Sequence, residues 1–214
     1  MRVRNFRYCW LLAAAALCLA GCGKQERSEA VQLGKTLTAK RVNFSSANAT
    51  EKDFIASARA WCDGITTNGA GRGAELDQNA AVATGLAKYA VTISEQLSAV
   101  RQAMDGDTLQ AEYPRHVRNQ LTTQLTERQR RLQDMRALLE AAAPQFLEYK
   151  NNRSYTGDTY PEGLVRLQAL LRAYQAPEDA VGGAINDLKT KYSLRDDELS
   201  SGGMAPAATP AGGA

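Results

Sequence analysis

The 214-residue chain has little histidine, the side chain most used as a metal ligand and as a general base near neutral pH. Its only histidine, His116, lies among cationic side chains within residues 113–118. Positive neighbours disfavour both protonation of the imidazole and binding of a cation. A two-histidine metal site is therefore excluded, and a histidine-dependent triad has this one candidate. We expect His116 to be an exposed helical residue, and we expect no catalytic residue, metal or cofactor.

Long apolar runs are also scarce. The run from Trp10 to Ala20 is too short to span a bilayer as a permanent helix, which requires roughly 20 apolar residues. Arg2, Arg4 and Arg7 precede it, as in the positively charged start of an export signal. An uncleaved amino-terminal anchor or a buried helix is the alternative interpretation of this segment.

The apolar run ends in Leu19-Ala20-Gly21-Cys22. Together with the basic start and the apolar run, this tetrapeptide resembles the lipobox of bacterial lipoprotein precursors. The resemblance implies that residues 1–21 are a signal peptide, removed between Gly21 and Cys22. It also implies that Cys22 then carries a diacylglycerol on its sulfur and a fatty acid such as palmitate on its amino group.

Such a lipid anchor would hold the protein on a membrane without a transmembrane segment, because two or more acyl chains anchor stably where one does not. In lipoproteins an aspartate after the cysteine favours retention at the inner membrane, and that position is Gly23 in this chain. The resemblance therefore implies an outer-membrane lipoprotein with its domain in the periplasm. The inner membrane and the cell surface are the alternatives.

Removal of the signal peptide also changes the charge of the chain. The whole sequence has 26 lysines and arginines against 23 aspartates and glutamates. Residues 1–21 contain three arginines and no acidic residue, so the mature chain is formally neutral. A neutral chain gives no reason to expect a nucleic-acid partner. The expected partners are the membrane, through the lipid, and an envelope protein or a second copy.

The same cleavage leaves one free thiol. Cys9 and Cys18 belong to the signal peptide and Cys22 is lipidated, so no intramolecular disulfide can form. The remaining Cys62 shares an apolar helical face within residues 54–62. Burial is the favoured interpretation, because a free cysteine behaves as a small hydrophobe. An intermolecular disulfide or a redox role is the alternative.

Composition divides the mature chain into three parts. Residues 22–49 are polar and small, which predicts a lipidated flexible tether with at most a weak helix over 30–40. Residues 50–195 show helical patterns and almost no strand patterns, which predicts one helical domain. Residues 196–214 are mostly Gly, Ala, Ser and Pro and predict a disordered tail.

The helical part predicts an all-α bundle, with coiled-coil packing, built on a long antiparallel hairpin. Thr50 and Asp53 are typical of a helix start, and Asp63 with Gly64 is typical of a stop. A loop over 65–73 precedes two long helices, and two shorter helices end the domain.

Apolar residues of the two long helices recur at steps of three and four. The first stripe is Val82, Leu86, Tyr89, Ile93, Leu97, Val100 and Met104, and the second is Val117, Leu121, Leu125, Leu132, Met135, Leu139, Ala142 and Phe146. If the two stripes face each other, Leu132 lies in an internal core. The alternative is an exposed docking face for a partner or a second copy.

A basic stretch lies on the second long helix. Arg128, Arg130, Arg131 and Arg136 are interleaved with acidic residues, so an exposed face stabilised by ion pairs is the simplest explanation. Arg128 interrupts the apolar stripe, and we expect its head to reach outward. Contact of these four arginines with an acidic partner or an anionic polysaccharide is the alternative.

Three hypotheses for function follow. The favoured one is a non-catalytic scaffold, adaptor or accessory subunit of the cell envelope, because the address is specific and no catalytic set is evident. The second is a periplasmic binding module for an apolar ligand or an unfolded client, with tyrosines lining a cavity. The third is a carboxylate-dependent enzyme. The tyrosines are Tyr89, Tyr149, Tyr160 and Tyr174, and the carboxylates are Glu75, Asp77, Glu95 and Glu112.

Anchoring should depend on the sulfur of Cys22. Cys22→Ser removes the atom that accepts the lipid, so the precursor should stay uncut or become soluble with its helical content unchanged. Membrane fractionation and circular dichroism of one preparation test this. Cys18→Ser is the matched control, because that cysteine leaves with the signal peptide. A Cys22→Ser chain that loses its signal and still partitions tightly with membranes would contradict lipid anchoring.

Overall fold

The computed structural model describes the backbone of residues 5–175 and 178–200, and the side chains of these ranges from Gly23 onward. Within them lie six helices: α1 Asn5–Asn68, α2 Ala74–Asp105, α3 Glu112–Asn151, α4 Gly163–Ala173, α5 Ala180–Tyr192 and α6 Asp196–Leu199. No strand occurs in these ranges. The predicted all-α helical bundle is confirmed.

The described residues form two compact units, and the division falls inside the three long helices. Within the described ranges, unit 1 comprises Met1–Arg41, Ala103–Leu121 and Val181–Ala214, and unit 2 comprises Val42–Gln102 and Thr122–Ala180. This division does not follow the predicted boundary at residue 50, because α1 passes through that position without a break.

The α2–α3 pair of unit 2 is antiparallel, as predicted. Near the end of α3, Lys150 Nζ lies 2.7 Å from the carboxylate of Asp77, in the first turn of α2. Further along, the side-chain amide of Gln129 donates to the carbonyl oxygen of Ser94 at 2.9 Å. Residues late in α3 therefore lie beside residues early in α2.

The carboxyl part of α1 packs against both helices of this pair. The indole N–H of Trp61 donates to Asn79 Oδ1 of α2 at 2.9 Å. Its ring meets Phe146 of α3 edge-on, with the ring centroids 6.0 Å apart. One side chain of α1 thus joins three helices.

The short helix α4 packs on the side of unit 2 formed by α1 and α3. The guanidinium of Arg59, on α1, donates to the carbonyl oxygens of Leu171 and Tyr174 at the end of α4. At the other end of α4, a Cβ on Gly163 would lie 3.6 Å from Leu138 of α3. The two pockets along the α2–α3 pair are lined by residues of α2 and α3.

The second predicted stripe is confirmed, because all eight of its residues are buried. The first stripe is confirmed in part. Val82 is half-buried and Tyr89 is 55% exposed, while Ala83 and Ala90 take the core positions instead. Alanine can serve there because a small side chain lets neighbouring helices approach closely.

The predicted flexible tether over 22–49 is wrong for residues 23–49, which lie within α1. Apolar side chains at helical steps explain the difference, because their burial stabilises a helix that composition alone does not predict. The fully buried members of this set are Ala30, Leu33, Leu37, Phe44 and Ala47.

A carboxylate on α1 fixes the start of α3 in unit 1. Glu29 Oε2 accepts hydrogen bonds from the backbone N–H groups of Gln110 and Ala111, both at 2.7 Å. Burial raises the pKa of Glu29, but the hydrogen bonds from Ala111, Gln25 and Gln110 outweigh it and hold that pKa below its usual value. The segment expected to be a tether therefore positions another helix.

The predicted disordered tail over 196–214 is wrong for its first four residues. Residues 196–199 form α6, whose Leu199 is only 2% exposed and lies against Gly34 of α1. A Cβ on Gly34 would lie 2.7 Å from Cδ2 of Leu199, so a larger residue there would require the Leu199 side chain to shift. Residues 201–214 lie outside the described residues.

The first helix of the predicted domain neither starts nor stops where its sequence suggests. The hydroxyl of Thr50 donates to the carbonyl oxygen of Ser46 at 2.9 Å, inside α1. The helix passes Gly64 and ends at Asn68, before Gly69, whose φ of 81° favours glycine. Burial of Ile65 explains why α1 continues beyond Gly64.

Leu132→Ala should destabilise unit 2 by roughly 2–5 kcal/mol, because this leucine is fully buried and its truncation leaves a cavity. Leu132→Asp should destabilise it more, since it buries an unpaired charge. Urea-induced unfolding measures both, and Leu147→Ala, at a leucine 45% exposed on the same helix, is the matched control. A Leu132→Asp chain that unfolds like the wild type would overturn the internal core.

Candidate docking groove

Arg128 is held inside unit 2 and does not reach outward. Its Nη2 forms an ion pair with the carboxylate of Glu51 and donates to Asn48 Oδ1 at 2.7 Å. The ring of Phe44 lies 5.1 Å from its Cζ. The side chain of Arg128 is 14% exposed and that of Glu51 is fully buried. This placement removes Arg128 from the predicted partner-contact surface.

The Glu51–Arg128 pair joins α1 to α3. Its formation removes two charged groups from water, which costs free energy. Burial raises the pKa of Glu51, and the hydrogen bond and positive charge of Arg128 oppose that rise. Glu51 Oε1 and Arg128 Nε have no hydrogen-bond partner among the described residues. Each charge therefore depends on the other for compensation.

Of the other three arginines of the predicted contact surface, Arg130 and Arg131 are exposed on α3 and Arg136 is half-buried. Arg130 pairs with Glu127 and Asp134, and Arg131 pairs with Glu127, all at 3.2 Å. Arg136 pairs with Glu140 at 2.7 Å. The expected face stabilised by ion pairs at helical spacing is therefore present.

A groove, which we name the α2–α3 groove, runs between the side chains of α2 and α3. Its larger part, of about 630 Å³, is bordered by Arg101 of α2 and by Arg130 and Arg136 of α3. A smaller part of about 290 Å³ adjoins it, since Val91 and Arg136 line both. Two of the four arginines singled out in the sequence thus border one concave surface.

Small and polar side chains line the α2 wall of this groove. They recur at steps of three and four, the spacing that admits the ridges of a further helix. The residues of α2 that follow this spacing are Thr84, Ala87, Val91, Ser94 and Ser98.

In the larger part of the groove, Arg101 differs from the other two arginines, because Arg130 pairs with Glu127 and Asp134 and Arg136 pairs with Glu140. The lining of this part contains three arginines and a single carboxylate, Glu95. Arg101 donates to Gln129 Oε1 at 3.1 Å and forms no ion pair within the described ranges. Arg136 is held in place by Glu140. The arrangement suits an acidic segment, because guanidinium groups bind carboxylates through paired hydrogen bonds.

The carboxylates considered for an enzyme are not brought together. Glu75 accepts a hydrogen bond from the backbone N–H of Arg72 at 2.9 Å, and Asp77 pairs with Lys150. Glu95 follows Asp77 by 18 residues on α2, which is about 27 Å along the helix axis. Glu112 belongs to unit 1.

The tyrosines considered for a ligand cavity are also dispersed. Tyr174 is buried, Tyr89 is exposed, and the ring of Tyr149 stacks on that of Tyr155 with centroids 4.8 Å apart. None of these, nor Tyr160, lines either part of the α2–α3 groove.

The structure also shows where Cys62 and His116 lie, the two residues considered from the sequence for redox and histidine chemistry. Cys62 is fully buried, as favoured. Burial, together with the negative charge of Asp63, raises the pKa of its thiol to about 12, so the thiolate needed for redox chemistry is disfavoured. His116 is exposed at the start of α3, as expected. In the described part of the chain, no three His, Cys, Asp or Glu side chains group as metal ligands.

The glycine-containing loop after α1 is an ordered connection. The guanidinium of Arg72 donates to the carbonyl oxygen of Thr156. A Cβ on Gly69 would lie 2.3 Å from the carbonyl oxygen of Gly157, so the two loops approach too closely for a side chain there. This contact explains why residue 69 is a glycine.

Cys22 lies on α1, but its side chain lies outside the described residues, as do Met1 to Arg4 of the predicted signal peptide. The lipidation and cleavage sites at Gly21 and Cys22 therefore stay predictions. No helix among the described residues is long and apolar enough to cross a bilayer. No family model, curated protein or solved structure matches the chain.

Sequence reasoning missed three residues that organise these sites. Glu51 and Glu29 were hidden because their partners lie 77 and 81 residues away. Arg101 was missed because it is a single arginine outside the basic stretch. The steps of small residues along α2 were the available indication of its groove.

Arg128→Ala should destabilise the protein by about 3–5 kcal/mol, because it leaves the buried carboxylate of Glu51 without compensation. Arg131→Ala, at an exposed arginine one turn away, should change stability by less than about 0.5 kcal/mol. Combining Glu51→Leu with Arg128→Met should recover most of the loss, since both charges are then removed. Urea-induced unfolding checks all three, and equal stability of the Arg128→Ala and Arg131→Ala chains would contradict the dependence.

Proposed function

We propose that this chain is a lipoprotein of the bacterial cell envelope that acts as a non-catalytic adaptor. Its lipid on Cys22 would fix it to the outer membrane, with the helical units in the periplasm. The adaptor surface is the α2–α3 groove, and its occupant is an acidic helical segment of another envelope protein. The address rests on the lipobox resemblance of residues 19–22.

The observation that carries the adaptor role is the placement of arginines along the α2–α3 groove. The lining of its larger part contains three arginines and one carboxylate. Arg130 and Arg136 pair with neighbouring carboxylates of α3, whereas Arg101 forms no ion pair within the described ranges and is available to a partner. An available charge speeds encounter with a partner of the opposite sign and fixes its register. Because the walls follow helical steps, a helix with carboxylates on one face is the best-matched occupant.

The rival functions gain less support from the described residues. An apolar ligand or unfolded client requires a contiguous apolar surface. The large apolar side chains that are exposed lie singly on four different helices: Val42, Tyr89, Leu147 and Val165. A carboxylate-dependent enzyme requires converging acids, and Asp77 and Glu95 stand far apart on α2.

A photo-crosslinking residue in place of Gln133, in the groove, should capture one specific envelope protein in the native host. The same residue in place of exposed Gln124 should not. The captured peptide should be acidic, because the groove presents arginines. Equal capture from both positions, or a captured segment without acidic residues, would overturn the proposal. Capture of a second copy of this chain would replace the adaptor with self-association.

Charge reversal tests the same surface quantitatively. Arg101→Glu combined with Arg136→Glu should weaken binding of the identified partner by at least about tenfold, since two guanidinium contacts are lost. The matched control, Lys52→Glu combined with Arg166→Glu, changes the net charge equally at exposed positions on α1 and α4. Equal weakening by both pairs would show that only overall charge matters.

A further inference from the structure

Unit 1 contains a second pocket, which we name the α1–α3–α5 pocket. It has a volume of about 570 Å³ and is formed by side chains of three helices. The residues that matter for its chemistry are Glu26 of α1, Glu112, Tyr113, Arg115 and His116 of α3, and Lys191 of α5.

The formal charges of this pocket balance, in contrast to those of the α2–α3 groove. Glu26 and Glu112 supply two carboxylates, and Arg115 and Lys191 supply two cations. Within the described ranges, no ion pair joins any of these four groups. Glu26 lies close enough to the hydroxyl of Tyr192 to interact with it, after burial the next cause of the raised pKa of that phenol. Opposite charges that share a pocket without pairing with each other can each bind a charge of a ligand. A ligand that carries one positive and one negative group matches this lining best.

The aromatic face of the pocket is already occupied. Lys191 Nζ lies 3.8 Å from the ring centroid of Tyr113, a cation–π contact. The edge of the same ring packs against Tyr192, with centroids 6.0 Å apart. A quaternary ammonium group binds best to open aromatic faces, so this pocket does not favour one. A primary ammonium group, which donates hydrogen bonds to carboxylates, fits better.

The α3 wall of the pocket is fixed before any ligand arrives. Glu29 holds the backbone of Gln110 and Ala111, directly before Glu112 and Tyr113. The pocket therefore does not need to order this wall on binding, and pre-ordered groups cost less binding free energy.

The position of the pocket relative to the anchor identifies the source of the ligand. Glu26 follows Cys22 by four residues on α1, which is about 6 Å along the helix axis. A lipid on Cys22 would thus bring the α1–α3–α5 pocket to the membrane surface. This step rests on the lipid anchor of the proposed function.

We propose that the α1–α3–α5 pocket binds the headgroup of a zwitterionic membrane phospholipid that ends in a primary ammonium group. Arg115 and Lys191 bind its phosphate, and Glu26 and Glu112 accept hydrogen bonds from its ammonium group. The bound headgroup adds a contact beside the anchor and restrains how unit 1 is oriented at the membrane.

Native mass spectrometry of the full chain purified from membranes, in detergent with one added phospholipid at a time, tests this. Phosphatidylethanolamine should bind once per chain. Phosphatidylcholine, which lacks the donating ammonium, and phosphatidylglycerol, which lacks the positive charge, should each bind at least about tenfold more weakly. Equal retention of all three lipids would overturn the proposal.

Two pairs of substitutions separate the roles of the charges. Arg115→Ala with Lys191→Ala should lower retention of phosphatidylethanolamine by at least about tenfold. Glu26→Gln with Glu112→Gln should abolish only the preference for phosphatidylethanolamine over phosphatidylcholine. The control, Lys24→Ala with Lys35→Ala, removes two exposed cations of α1 outside the pocket and should change neither.

Soluble competitors distinguish a headgroup site from a simple anion site. Glycerophosphoethanolamine should displace the bound lipid, and inorganic phosphate at equal concentration should not. Displacement by phosphate alone would overturn the zwitterionic assignment.

The same spectra report the mass of the chain and hence whether Cys22 is lipidated. A lipidated chain that retains no phospholipid would overturn the pocket while leaving the anchor intact. An unlipidated chain that retains phosphatidylethanolamine would overturn the anchor while supporting the pocket. The pocket substitutions leave the α2–α3 groove unchanged, so failure of partner capture is a separate result.

Discussion

The arrangement of unit 2 depends on one buried ion pair, between Glu51 of α1 and Arg128 of α3. Water cannot replace either group as the partner of the other, because the carboxylate is fully buried and the guanidinium is nearly so. Sliding α1 along α3 by one turn would separate the charges, so the pair fixes the register of the two helices. Once that register is set, Trp61 meets both Asn79 and Phe146, and the third helix is fixed as well. The buried pair specifies this arrangement more than it stabilises it, because desolvation offsets much of its attraction.

A carboxylate on α1 has a corresponding role in unit 1. Glu29 binds two backbone N–H groups at the start of α3, where unsatisfied donors and the helix dipole favour a negative charge. The favourable hydrogen bonds outweigh burial, so the pKa of Glu29 is lowered, whereas that of Glu51 is raised. Glu29 therefore stabilises unit 1 above its unfolded pKa and loses this effect as the pH falls through its folded pKa. Both carboxylates fix the position of a helix. Hydrogen bonding outweighs burial in setting the pKa of Glu29, whereas burial outweighs hydrogen bonding in setting that of Glu51.

Features set by residues close together in the sequence were predicted, whereas features set by partners far away in the chain were missed. The second apolar stripe was predicted in full, because Leu125, Leu132 and Leu139 repeat a pattern that needs no knowledge of a partner helix. The helix over 23–49 was missed because few large apolar residues lie between its polar ones, and burial of Leu33 and Phe44 decides the outcome. Arg128 was expected to reach outward for a related reason, since its partner Glu51 lies 77 residues away. Of the candidate groove, the basic stretch was predicted, whereas the wall formed by α2 required the fold.

Both proposed binding surfaces use charges that the fold already restrains, and this is what distinguishes them from an ordinary solvated face. A free arginine loses rotamer freedom when it binds a carboxylate, which offsets much of the attraction in water. In the α2–α3 groove, Glu140 holds Arg136 and Gln129 holds Arg101, so part of that freedom is lost on folding. In the α1–α3–α5 pocket, the ring of Tyr113 restrains Lys191 in the same way. Selectivity can thus come from the placement of restrained charges: arginines held along a groove for an acidic helix, and a balanced set of charges for a zwitterionic headgroup.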